Sequence, residues 1–181
     1  MKKLIALLMT IALLMTGAAF AEQTTTTPAP FVVQEGIIIG MNQADLIATL
    51  AGIRYEVDKE HTHSQLTFTE VEVENQQLYG LKADLHYLFY NDKLVAVNVD
   101  YDDKTPNVYD KVKEQLTAAF QESGAVNEKD LGLAIYAADD DGRFEGRIEG
   151  WTVDNTAIIL ETESDGDVNL YFVDMGTDYT K

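Results

Sequence analysis

His61-Thr62-His63 is the sharpest local cluster of chemistry-bearing residues in the sequence. In an extended backbone alternate residues share a face, so both imidazoles would meet one ion, with Glu60 or Glu70 as third ligand. The flanking Asp58, Lys59, Glu60 and Ser64 instead place the pair in a solvated loop, and no cofactor is expected. The acidic turns Asp139-Asp140-Asp141-Gly142 and Asp165-Gly166-Asp167 invite a calcium reading. An EF-hand loop, however, needs glutamate six residues after its glycine. That position is Ile148 in one alignment and Phe172 in the other. Asp and Gly are ordinary hairpin-turn residues, and the two stretches read as turns.

Nucleophilic chemistry finds little support. Ser64, Ser123 and Ser164 lie outside any G-x-S-x-G elbow. The chain has no cysteine, which removes thiol nucleophiles, zinc–thiolate sites and disulfides. Its 31 acidic residues guarantee that some carboxylate pair is close. A small hydrolase acting on a cell-wall or dietary polymer through paired carboxylates therefore stays open as an alternative. So does a divalent-ion-binding envelope protein. No catalytic residue is assigned.

Lys2 and Lys3, an uncharged run from Leu4 to Met15, and Ala19-Phe20-Ala21 form the three-part pattern of a secretory leader. Residues 1–21 are expected to be removed after Ala21, giving a secreted, extracytoplasmic protein with no membrane insertion after cleavage. The run is shorter than the roughly 20 residues a spanning helix needs. Loss of the two lysines takes the formal charge from −18 to −20. Such a field disfavours nucleic acid and anionic membranes and favours cationic partners.

The elements follow from periodicity. Residues 22–35 form a Thr/Pro-rich linker, 36–176 an α+β domain, and 177–181 a tail. Asn42 caps a helix over Gln43–Ala51, with Asp45 completing a variant capping box and Met41 and Leu46 forming a hydrophobic staple. Strands are predicted over Leu66–Val73, Leu81–Phe89 and Leu94–Tyr101, the last two joined by a tight turn at Asn91-Asp92-Lys93. Thr105-Pro106 opens a second helix with Val108, Val112, Leu116, Ala119 and Phe120 on one stripe, closed by Gly124. Four further strands are expected, over Gly132–Ala138, Arg143–Ile148, Thr156–Glu163 and Val168–Val173. Arg143, Glu145, Arg147 and Glu149 alternate, which predicts ion pairs across strands on a solvated face. The fold class is thus α+β: two αβββ-type units, with possible bounds 36–104 and 105–176, whose two helices pack on one face of antiparallel meander sheet.

Gly40-Met41, Asp45-Leu46 and Gly52, then Gly80-Leu81-Lys82-Ala83 and the hairpin Tyr87–Leu94, resemble a theme of small exported bacterial proteins of unknown role. In architecture the chain is similar to β-lactamase-inhibitor-like proteins and small outer-membrane assembly lipoproteins, which are built from tandem αβββ units. The resemblance implies the fold and a binding role. It transfers no active-site residue, because the lipidated cysteine of one group and the disulfides of the other are absent. The expected function is a soluble, non-enzymatic interaction module that uses an open sheet face to bind a protein partner. The residues expected on or beside that face are His86, Tyr90, Trp151, Asn169 and Tyr171.

Overall fold

The computed structural model describes residues 32–63, 66–101, 107–120, 128–137, 144 and 146–179, the side chains at 59–63, 128 and 130 excepted. The chain is α+β, with a seven-stranded antiparallel sheet and a separate two-stranded one. Strands β1 (Val32–Gln34) and β2 (Ile37–Ile38) make the small sheet, turning at Gly36, so folded structure reaches into the stretch expected as linker. Helix α1 (Gln43–Thr49) follows. Asn42 caps it through its side-chain oxygen, which accepts from the Asp45 amide at 2.8 Å, while Asn42 Nδ2 donates to the Asp45 carboxylate at 2.7 Å.

Four strands then meander: β3 (Glu56–His63), β4 (Leu66–Leu78), β5 (Leu81–Tyr90) and β6 (Lys93–Tyr101). Asn91 and Asp92, both with positive φ, form the two-residue turn that the right-handed twist of a hairpin favours. The Gly40-Met41 lead-in docks on this hairpin. Gly40 N–H donates to the Leu94 carbonyl at 2.8 Å, and Leu94 N–H donates to the Met41 carbonyl at 2.8 Å. The two halves of the Gly-Met/Tyr-x-Phe theme therefore meet through main-chain bonds.

Helix α2 (Val108–Phe120) is followed by a short helix α3 (Glu128–Leu131) that runs into a 3₁₀ helix over Gly132–Ala137. Strands β7 (Arg147–Val153), β8 (Thr156–Thr162) and β9 (Val168–Asp174) complete the chain. The spatial order is β3-β4-β5-β6-β9-β8-β7, so the two meanders share one sheet through the β6–β9 seam. Thr105-Pro106, Gly124 and the Asp139–Gly142 turn lie outside the described residues.

Both faces of the sheet are packed. On the first, α1 and α2 cover Val71, Val73, Leu85, Tyr87, Val97, Val99, Ile158, Leu160, Leu170 and Phe172, with Leu46, Val112 and Leu116 supplied by the helices. Alternation sends the intervening side chains to the other face. There Leu66, Phe68, Val95, Ala96, Ala157, Ile159, Tyr171 and Val173 pack under Leu131, Ala134, Ile135, Ala137, Phe144 and Tyr179. This second core corrects the expectation of a wholly uncovered face. It also corrects the strand expected over Gly132–Ala138: an apolar run this short suits a buried helical turn equally well. Val95 does not continue the Val97–Tyr101 face, because a bulge opposite Leu88/Phe89 turns it to the second core.

Candidate functional site

The second face changes character along the hydrogen-bonding direction. One cross-strand row reads Glu56, Glu72, His86, Asn98, Tyr171, Ile159 and Gly150 from β3 to β7. The next reads Asp58, Glu70, Leu88, Ala96, Val173, Ala157 and Thr152. A third runs from Asp84 through Asp100, Asn169 and Glu161 to Ile148. The second core covers the β6–β9–β8 end and reaches Leu66 and Phe68 of β4. At the other end Glu56, Asp58 and Asp100 are exposed, and Glu70, Glu72, Asp84 and His86 are half-buried.

His86 is the imidazole among these carboxylates, with Arg54 beside Glu56 and Lys82 two residues from Asp84 on β5. Its Nδ1 pairs with Glu70, across adjacent strands. This bond is the main cause that raises the His86 pKa above the ordinary imidazole value. The charges of Glu70, Glu72 and Asp100 add to the rise, and partial burial opposes it. The Asn75 amide, at positive φ in the β4 bulge, donates to Asp84 at 2.6 Å.

The other expected binding residues are placed differently. Tyr90 packs in an aromatic trio with Phe68 and Tyr179, at ring-centroid distances of 5.8 and 5.2 Å, at the rim of the second core. Tyr171 is 2% exposed and stacks on Phe144 at 5.2 Å, and Trp151 is 3% exposed in the first core. Asn169, 6% exposed, donates to Glu163. Burial keeps these last three from direct contact with a partner, which leaves His86 and Tyr90. Of the four alternating charges, Arg143 and Glu145 lie outside the described residues, while Arg147 and Glu149 engage α2. Arg147 sits 4.0 Å over the Tyr109 ring and 3.4 Å from Asp110, and Glu149 pairs with Lys113.

His61 and His63 fall on β3, opposite Phe68 and Leu66, so their segment is an edge strand rather than a loop. Their side chains lie outside the described part of the structure. Among the described residues, no group of three or more His, Asp or Glu is arranged to hold a metal ion. The Asp165–Asp167 stretch is a closed hairpin turn, with the Glu163 amide donating to the Asp167 carbonyl at 2.8 Å. Where β3 peels away from β4, a cleft of about 180 Å³ opens between Arg54, Tyr55, Glu56, Glu72, Glu74 and Asn75. It holds three carboxylates, but Glu56 is 71% exposed and bonded to Arg54 at 3.2 Å, so the site does not exclude water around a scissile bond. No family model, curated protein or solved structure matches the chain.

Proposed function

We propose that the protein is an exported, non-enzymatic binding module whose uncovered, acidic sheet end takes a cationic protein partner. The observation that carries this reading is the segregation on the second face. Apolar side chains there are buried under the 128–137 segment, Phe144 and Tyr179, while Glu56, Asp58, Glu70, Glu72, Asp84 and Asp100 gather around His86 at the end left open. A rigid sheet presents these charges in fixed register, and a net charge of −18 for the whole chain steers basic partners toward it. The architectural resemblance to tandem αβββ inhibitor-like proteins supports the same role.

The test is capture of partners from the native secretome, followed by affinity measurements across ionic strength. Binding should weaken steeply with salt and be lost in a Glu72→Lys/Asp100→Lys variant that keeps its far-UV spectrum. A captured partner insensitive to both salt and charge reversal would overturn the reading. N-terminal sequencing of the secreted protein should begin at Glu22.

A further inference from the structure

The acidic sheet end terminates in β3, the outermost strand of the described sheet. The residues leading into it and its second residue expose apolar side chains. Ile53, Tyr55 and Val57 are 37%, 38% and 36% exposed, and they supply half of the six large apolar side chains exposed among the described residues. Val57 sits opposite the buried Val71, so its side of the strand continues the first core outward past the cover of α1. Glu56 and Asp58, on the other side, extend the acidic rows. The β3–β4 register begins at Glu56↔Glu72, while β4 runs on to Leu78, so a stretch of the β4 edge is also unpaired by β3. The cleft lined by Glu56, Glu72 and Glu74 together with Arg54, Tyr55 and Asn75 lies at that point.

Resting on the binding role proposed above, we infer that β3 takes a partner segment as an added strand. The segment is extended and alternates apolar with Lys or Arg residues. Main-chain bonds to the β3 edge supply affinity, as in other strand-addition interfaces. Apolar residues of the segment lie beside Tyr55 and Val57. Its basic residues lie over Glu56 and Asp58, with one displacing Arg54 from Glu56 to enter the cleft that Glu72 and Glu74 also line. A second copy of this chain is disfavoured as occupant, because antiparallel β3–β3 pairing would set Glu56 and Asp58 against themselves. The bulge between Asp58 and His61 confines the register to the first part of the strand.

The test uses a seven-residue peptide alternating Lys and Val, read by amide hydrogen exchange and by titration. Two control peptides carry N-methyl groups on alternate amides, one set for each edge of the strand, with charge and side chains unchanged. The parent peptide should protect the β3 amides. One methylated peptide should bind about tenfold or more weakly, and the other about as well as the parent. Tyr55→Ser/Val57→Ser should weaken the parent peptide without removing its salt dependence. If both methylated peptides match the parent and all three remain salt-sensitive, strand addition is overturned while the acidic-face reading stands. If no peptide binds while a captured partner keeps its salt dependence, strand addition is overturned and the acidic-face reading stands. If the protein itself dimerises with protected β3 amides in sedimentation and exchange measurements, the occupant is a second copy and the inference is wrong.

Discussion

The two ends of the second sheet face share one backbone and one register, yet they have opposite chemistry. At the β8–β9 end two rows of the face are apolar: Ala157, Ile159, Tyr171 and Val173 are each at most 2% exposed beneath Phe144 and the 128–137 segment, and the next row buries Asn169 and Glu161. At the β3–β5 end the same rows carry Glu56, Glu72, Glu70 and His86. Strand formation needs only pairing. What covers a face is decided by the side chains, and here the divide runs along the strands as well as across them: β4 passes from buried Leu66 and Phe68 to Glu70 and Glu72, and β8 from Ala157 and Ile159 to Glu161.

The contrast is sharpest for stability. Ile159→Ala, at the covered end, should cost about 2–5 kcal/mol by deleting fully buried methyl groups, as measured by chemical denaturation. A cost close to that of an exposed substitution would show that the second core is not a packed core. At the same end, Gly146 has φ +71, and an added Cβ would lie 1.8 Å from the Thr162 carbonyl oxygen. Gly146→Ala should therefore cost about 1–3 kcal/mol and increase exchange at the start of β7.

At the open end the expected effects are smaller and depend on pH. The Glu70 bond raises the folded pKa of His86, so its contribution is complete below the unfolded value of about 6.5 and is lost as pH rises through the folded value. Glu70→Gln should lower the His86 pKa seen by NMR titration. It should cost about 1 kcal/mol between about pH 5 and 6.5, with the gap closing above that window. A His86 titration unmoved by the substitution would remove the pair from the account. Smallest of all, Arg54→Ala should change stability by less than about 0.5 kcal/mol, since its pair with Glu56 is 86% and 71% exposed.

Sequence patterning reached the elements whose local chemistry decides their structure. Asn42 and Asp45 specify the start of α1, Asn91-Asp92 the β5–β6 turn, and the alternation of Leu81 to Phe89 the face that meets the helices. β3 escaped because Glu56-Val57-Asp58-Lys59-Glu60 is nearly all polar, and its strand character comes from pairing with β4. The second core did carry a signal. Ala157-Ile158-Ile159-Leu160 and Leu170-Tyr171-Phe172-Val173 are unbroken apolar runs, which mark strands buried on both faces. Alternation in the β5–β6 hairpin suggests a one-sided sheet. Trp151 and Tyr171 read as surface anchors because aromatic type says nothing about which layer will bury the ring.

The β6–β9 seam has a consequence for how the chain reaches its fold. Val97 pairs with Phe172, so the middle of the sheet closes between residues that leave the ribosome far apart in time. Until β9 is available, the newly made β6 carries an open apolar edge beside Val97 and Val99. The other pairings of this sheet join consecutive strands, so this seam is the non-local step that slows assembly. A chain truncated after Tyr101 should expose that edge and aggregate rather than fold as half a protein.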